Sequence, residues 1–334
     1  MNILEPIETQ GDNFLEANSS KEKISISFII INYNLAKEVE NCLNSLIGKL
    51  EISQHFKYEV IVIDNNSTDN NLHEVEEKFK NNNIQFYYLN VNVGFGKGCN
   101  FGFKKASGDY VCFLNPDTII LEDIFLPIIN LFKSNNTIGI IGPMQQIKAP
   151  FFDFSAGFFP NIFIELFNLI GIGVFLGGFI TFFLTKIKRN SSFEVGWILG
   201  AAIFIPSELF QMVNGFDKDY FMFYEEVDLC KRISNIGYKV IYNPSLRIHH
   251  IGSVSGKKDY SLYTIRSYAS KYIYITKHYK SIYKILMKIL LVAQLFSQLI
   301  IWTILYLFKK QKAQQKLNGL LYLLTHKLKY EYRN

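Results

Sequence analysis

Charge is scarce in this sequence. Asp, Glu, Lys and Arg together make up 19% of its 334 residues and leave a formal net charge of only +6. So small an excess gives no case for a nucleic-acid polymer as partner, although it suits anionic small molecules or anionic lipid headgroups. Cysteine is scarcer still. Cys42, Cys99, Cys112 and Cys230 form no C-x-x-C pair, and each sits in an apolar or helical pattern, which reads as buried free thiols in a reducing compartment. Residues 1–23 are polar and lack the apolar core of a signal peptide, so they are expected to form a loose leader, with the rest of the chain in the cytoplasm. There is no internal repeat and no low-complexity linker. A G-x-G-x-x-G fingerprint is also missing after the first strand-like run, where INYNLA stands instead, which argues against a Rossmann oxidoreductase.

Apolar residues are plentiful, at 49%, and aromatics reach 16%, with much of the Phe and Tyr in the second half. That suffices for a large α/β domain and leaves a surplus suited to a membrane surface or a greasy acceptor. The runs ISISFIIIN, YEVIVID (58–64), IQFYYL (84–89) and YVCFL (110–114) are short, apolar and rich in β-branched or aromatic residues, as buried strands are. Between them, Leu35, Val39, Cys42, Leu43, Leu46, Ile47 and Leu50 share one helical face, with Asn34 as the expected N-cap. Leu72, Val75 and Phe79 mark a second helix, and a Gly-rich helix is expected over about 94–106. Such alternation predicts a parallel sheet covered on both faces, whose ligands lie beyond the carboxyl ends of its strands. The polar residues there are Asn32, Asp64 to Asp69, Asn92, and Asn115 to Asp117, all on one edge.

Several of these segments can carry chemistry. LNPDT (114–118) can hold a divalent metal through oxygen ligands, or it can be a turn. Asp64 can accept hydrogen bonds from a base or ribose; Asp69 can do the same or merely cap the following helix. NVGFGKGCN (92–100) allows close backbone approach to a ligand, and its Lys97 can meet a phosphate or stay solvated. In GFDKDYFMFYEEVDLCKR (215–232), the acids Asp217, Asp219, Glu225, Glu226 and Asp228 are interleaved with aromatics. Carboxylates in apolar surroundings rise in pKa towards that of a useful base. Asp228 and Arg232, four apart, are expected to pair on a helix.

The ordered set DNNSTD, N-x-GFGKGCN, LNPD, W-x-x-GAA, GFD, EExDLCxR and HxGxxS resembles the family 2 glycosyltransferases of GT-A fold, closest to a rhamnosyltransferase-like branch, over about residues 24–280. The resemblance implies a mostly parallel α/β sheet with helices on both faces. It implies an inverting, metal-dependent transfer of a sugar from a dTDP- or UDP-linked donor to a saccharide, by extension a lipid-linked one, in cell-surface polysaccharide synthesis. By position, Asn32, Asp64, Asn65, Asp69, Asn92, Gly94, Lys97 and Asn115 would surround the donor nucleotide. Asp117, with His250 or its neighbour His249, would hold Mn2+ or Mg2+. Glu226 or Glu225 would be the general base, a Glu standing where the family has Asp. Trp197, Gly200, Ala201 and Asp217 would line the acceptor side. No Q-x-x-R-W motif is present, so the addition of single sugars is favoured over processive synthesis. A nucleotidyltransferase, or an inactive membrane scaffold on the same fold, is the competing reading.

The expected domain plan is a leader (1–23), a nucleotide-binding half (24–143), an acceptor half (144–280) with an apolar insert (151–186), and a membrane-associating helical tail (281–334). Within the insert, Glu165, Asn161 and Asn168 argue against lipid burial, so 158–185 is expected to form one or two amphipathic helices lying at the interface or lining a lipid-facing acceptor groove. Residues 289–308 carry no charge and are long enough to span a bilayer, although Gln294, Ser297 and Gln298 favour an interfacial helix. The protein is therefore expected at the inner face of the cell membrane, peripheral or anchored by its C-terminus.

Overall fold

A computed structural model of the chain describes residues 23–52, 56–69, 71–80, 83–146, 155–188, 191–252 and 259–326. The leader, residues 151–154 of the apolar insert, Ser255 of the HxGxxS motif and the last eight residues lie outside them.

The first half alternates strand and helix: β1 (Ser25–Asn32), α1 (Ala36–Leu50), β2 (Lys57–Asp64), α2 (Leu72–Lys78), β3 (Ile84–Tyr88), α3 (Phe95–Phe103) and β4 (Tyr110–Leu114). Then come β5 (Thr118–Ile120), α4 (Phe125–Ser134), β6 (Ile138–Gln146), β7 (Ala156–Gly157), α5 (Ile162–Leu169) and α6 (Gly173–Ile187). The chain returns through β8 (Phe193–Glu194), β9 (Trp197–Ile198), β10 (Ala202–Pro206), α7 (Ser207–Met212), α8 (Glu225–Asn235) and β11 (Lys239–His250). It ends in α9 (Tyr260–His278), α10 (Ser281–Leu305) and α11 (Lys310–Thr325).

The main sheet runs β3-β2-β1-β4-β10-β6-β11-β5. Strands β1 to β4 are mutually parallel, whereas β10 is antiparallel to both of its neighbours, β4 and β6. Alternation along β1 sends Phe28 and Ile30 to one face, under α1, α2 and α4, and Ile29 and Ile31 to the other, under α3, α7 and α8. All four cysteines are buried in these two layers. The division expected after residue 143 falls inside β6, and β10 and β11 complete the sheet that β1 to β4 begin, so the two halves share one sheet.

Asn34 is not the N-cap of α1. It sits at φ 57°, in the left-handed region that Asn tolerates, and Leu35 holds the cap position. Its side-chain oxygen instead accepts from Thr68 N–H at 2.7 Å and pins the loop after β2.

The C-terminal helices form an added layer with α5 and α6. Ile265, Leu295, Leu320 and Leu323 pack between α9, α10 and α11. Beneath them, Lys271 of α9 donates to Glu165 of α5 and to Gln294 Oε1 of α10 at 2.8 Å, while Gln294 Nε2 donates to Glu165 Oε2 at 2.6 Å. The polar residues that break the apolar runs in the sequence are therefore the joints between these helices.

Candidate active site

The carboxyl ends of β1 and β2 are in register, with Asn32 opposite Asp64. Asn32 Nδ2 donates to Asp64 Oδ1 at 2.7 Å, and Ser67 donates to both carboxylate oxygens, from Oγ at 2.6 Å and N–H at 2.8 Å. Three of the roughly four acceptor positions of a carboxylate are thus filled within the protein. Asn65 is equally occupied: it donates to Asn92 Oδ1 at 3.0 Å and accepts from Val93 N–H at 2.9 Å. Asn32, Asp64, Asn65 and Asn92 build the loops at the carboxyl ends of β1 to β3, and the side chains of Asp69 and Lys97 are exposed. Asp69 accepts from Asn71 N–H at 3.4 Å, close to the start of α2.

Gly94 is fixed by geometry. It has φ 86°, and a Cβ there would lie 2.3 Å from the carbonyl oxygen of Phe221. That same carbonyl accepts from Phe95 N–H at 2.9 Å, which docks the donor-side loop onto the aromatic segment preceding α8.

Asp117 lies just past β4, where β5 pairs antiparallel to β11 with His250 opposite Thr118. This pairing sets His250 Nε2 3.1 Å from Asp117 Oδ1, and the Asn115 amide 3.5 Å from the same nitrogen. Both Asp117 and His250 are buried, and His250 Nδ1 has no hydrogen-bond partner. His249 is one residue back on the strand and faces the other side.

Glu225 and Glu226 open α8 after two residues, Phe223 (φ 72°) and Tyr224 (φ 65°), held in left-handed backbone conformation. Each such non-glycine residue costs about 1–3 kcal/mol, and pairs of them persist where the surroundings over-determine them. The result is that both carboxylates enter the protein. Oε2 of each is buried without a hydrogen-bond partner. Burial pushes Glu226 up to about 7, against the pull of the Glu226 and Val227 N–H groups at the helix start. Burial and then the adjacent Glu226 hold Glu225 well above the usual carboxylate range. The pair takes up protons as a unit.

One short loop joins the two clusters. Gly200 faces the Glu226 side chain, and the carbonyl of Ala201 accepts from Asn115 N–H at 2.9 Å. Ala201 itself is fully buried, and its carbonyl anchors Asn115 through the backbone. Asp217 is tied to α9. It pairs with Lys277 of α9 at 2.5 Å and receives Asp219 N–H at 2.9 Å. Trp197 spends its indole N–H on Phe158 O at 2.9 Å.

The Asp228–Arg232 pair is present at 2.8 Å, and Arg232 also grips the carbonyls of Val213 and Gly215 at 2.6 and 2.8 Å. Sequence reasoning missed its third member. His278 Nε2 lies 2.7 Å from Asp228 Oδ1 and ties α9 to the helix of the two glutamates. Burial alone would raise Asp228, but His278 and Arg232 outweigh it and hold its carboxyl below the usual value. His278 is fifty residues from its partner, and no local pattern signals a contact of that range.

A mixed sheet with acids at its strand ends, antiparallel β10 within it and a carboxylate helix facing the metal-type cluster is the GT-A architecture of glycosyltransferases. The solved structure of a mannosyltransferase from Pyrobaculum calidifontis, in complex with GDP-Man and Mn2+, shares this fold at TM-score 0.55 and 15% identity, over 90% of this chain and 84% of that one. Residues 27–187 match the family described as glycosyl transferase family 2. The rhamnosyltransferase WbbL of Escherichia coli (strain K12) is 30% identical over 176 residues, which span 51% of this chain and 59% of that protein. The N-acetylglucosaminyl-diphospho-decaprenol L-rhamnosyltransferase of Mycobacterium tuberculosis (strain ATCC 25618 / H37Rv) is 23% identical over 252 residues, 70% of this chain and 79% of that protein. The chain thus spans under two thirds of the E. coli relative's length.

Proposed function

We propose that this protein transfers single sugars, with inversion, from a nucleoside-diphosphate donor to a hydroxyl of a lipid-diphosphate-linked saccharide. The observation that carries the reading is the buried, unpartnered Oε2 of Glu226, joined through Gly200 and Ala201 to the Asp117–His250 cluster. A carboxylate raised to about 7 is half deprotonated at neutral pH, which suits a general base. Glu226 Oε2 takes the proton of the acceptor hydroxyl while that oxygen bonds to the anomeric carbon. The bond from that carbon to the diphosphate breaks on the opposite face, and a single displacement inverts the centre. Glu225, the deeper of the two, is held above the usual carboxylate range by its burial and by the Glu226 charge, which favours Glu226 as the base.

The donor set at Asp117 fits a divalent ion that arrives with the nucleotide. The His250 imidazole lies 3.1 Å from the Asp117 carboxylate and 3.5 Å from the Asn115 amide. Among the described residues no group of three His, Cys, Asp or Glu gathers, so diphosphate and water would complete the shell. The imidazole favours Mn2+ over Mg2+. When bound, the metal would neutralise charge on the leaving diphosphate.

The membrane side rests on an inversion of the usual helix pattern. On α6 the buried positions among those described are Gly173, Gly178, Thr181 and Thr185, while Phe175, Phe179, Phe183 and Ile187 point outward. Helix α10 likewise exposes Ile282, Ile285, Ile289, Phe296, Ile300 and Ile304. Apolar area of this extent on a soluble surface marks a contact face. Helix α10 is the one described helix long and apolar enough to cross a membrane, with a mean hydropathy of 2.0. Its Gln294 is bonded to α5, and α11 returns from its end to pack on α9, so we read it as lying in the interface plane. The M. tuberculosis relative, by its name, acts on a diphospho-decaprenol acceptor, which agrees with a lipid-linked acceptor here.

Calorimetric titration with UDP, dTDP and GDP, each with and without Mn2+, tests the donor site. Metal-dependent binding of one nucleotide is expected, lost in Asp117→Ala. Failure of all three to bind under any metal condition would remove the reading.

A further inference from the structure

Beyond Glu226, along α9 and α11, three cations stand without a carboxylate beside them. On α9 and α8 three cations end on acids, Lys271 on Glu165, Lys277 on Asp217 and Asp219, and Arg232 on Asp228, while Lys231 lies 4.6 Å over the Phe159 ring. Arg266 of α9 does not end on an acid. Its guanidinium lies 4.7 Å from the centre of the Phe221 ring, and its Nε is buried with no hydrogen-bond partner. One turn earlier, Tyr263 packs edge-on against Phe223 at 4.8 Å, close enough to Glu226 for that charge, after burial, to raise the phenol. Over Tyr263 sits Lys316 of α11, its Nζ 4.6 Å from the ring, and Lys312 lies 4.6 Å over Tyr260. Among the described residues neither lysine forms an ion pair.

Two lysines four apart on one helix repel each other, and a half-buried one loses hydration as well. Burial and then Lys312 lower Lys316 to about 8. An anion seated between Arg266 and the lysines would relieve all three. Position narrows which anion. Phe221 is the residue whose carbonyl holds the Gly94 loop, and Phe223 leads directly into the two glutamates, so the cations flank the site on the side of α9 to α11. From there the outward apolar face of α11 begins, with Leu321 and Leu324 exposed.

We propose that Arg266, Lys312 and Lys316 bind the diphosphate of an isoprenyl-diphosphate-linked acceptor, with its sugar at Glu226 and its tail along the exposed apolar helices. This rests on the lipid-linked reading of the acceptor given above. The site is separate from the donor diphosphate, which belongs at Asp117.

The test is calorimetric titration of the full chain, in metal-free buffer with chelator, using farnesyl diphosphate, inorganic pyrophosphate and phosphatidylglycerol vesicles as separate probes. Wild type is compared with Arg266→Gln, Lys316→Gln and the double variant. Farnesyl diphosphate affinity is expected to fall about ten- to a hundredfold in each single variant, the range for loss of a charged hydrogen bond. Nucleotide binding with Mn2+ and the melting temperature should stay unchanged. Farnesyl diphosphate binding that is indifferent to both variants would overturn the proposal, as would an equal loss of nucleotide binding, which would give the cations to the donor. Inorganic pyrophosphate bound as tightly as farnesyl diphosphate would overturn the isoprenyl part. A variant effect confined to the vesicles would reassign the cations to phospholipid headgroups. If no nucleotide binds but the variants still weaken farnesyl diphosphate, this site stands and the donor reading falls.

Discussion

The two sides of this molecule obey opposite rules of burial. Around β1 to β4, apolar residues turn inward and polar ones gather at the strand ends. In α6, glycines and threonines turn inward and phenylalanines turn out; in α5 and α10, Glu165 and Gln294 turn inward, Gln294 beside the buried Met287, Leu291 and Leu295, while Phe163, Ile285 and Ile300 turn out. Water is the solvent that explains the first arrangement. The second makes sense only against an apolar surface, since the outward residues gain nothing from water. Glu225 and Glu226, the proposed base pair, sit at the boundary between the two. They are desolvated by the aromatic segment that links sheet to helices, and they are braced from the C-terminal side by His278.

The largest expected effect lies at that boundary. Glu226→Gln should lower kcat by about 10²–10⁴-fold while metal-dependent nucleotide binding is retained. In the wild type, kcat/KM should rise with pH up to about 7 and then level, because the base works deprotonated. Stability carries the opposite sign. A carboxyl raised from 4.5 to about 7 on folding binds more protons in the native state, so stability falls as pH rises between those values. Glu226→Gln should therefore flatten that fall and raise Tm relative to wild type at pH 8. An unchanged rate in Glu226→Gln would move the base to Glu225.

The second effect measures the water-facing half. Phe113 is fully buried in β4, with ring contacts to Phe210 at 4.7 Å and Phe216 at 4.9 Å. Phe113→Ala should cost about 3–5 kcal/mol by urea unfolding, the range for a buried aromatic truncated in a packed core. A loss below about 1 kcal/mol would show that this core is not packed as described.

Legibility in the sequence followed the same divide. The strands β1 to β4 and their helices were readable because hydrophobic period and strand-end acids both report on a sheet in water. The pairing of β5 with β11 was not, since a three-residue strand after NPDT has no period to detect, and without it the choice between His249 and His250 stayed open. Antiparallel β10 was hidden for the same reason. Asp217 and Ala201 were placed on the acceptor side by analogy with the family; only the contacts show one turned to Lys277 and the other buried as a backbone anchor. In the helical layer, Glu165 and Gln294 stand out in the sequence as polar breaks in apolar runs, but their common partner, Lys271, is a lone residue in a Tyr-rich run. The cations Arg266, Lys312 and Lys316 look like ordinary surface charges until it is seen that acids serve their neighbours and not them.

The smallest effect on stability should come from the most conspicuous residues of the helical layer. Phe175, Phe179 and Phe183 are 55%, 45% and 50% exposed, and all three project from the outward side of α6. Replacing them together by Ser removes little buried area, so the unfolding free energy should change by about 0.5 kcal/mol or less per site, as at other exposed positions. Sedimentation with vesicles should tell a different story. Each phenylalanine entering the interface contributes about 1.5–3 kcal/mol if fully desolvated, so the triple variant should release the protein from vesicles that retain wild type. The paired outcome is what separates a lipid-facing helix from a core helix, because Phe113→Ala must show the reverse: lost stability with vesicle binding by the surviving fold intact. If the triple variant unfolds as Phe113→Ala does, α6 is packed against something other than lipid, and the contrast between the two halves of the molecule is wrong.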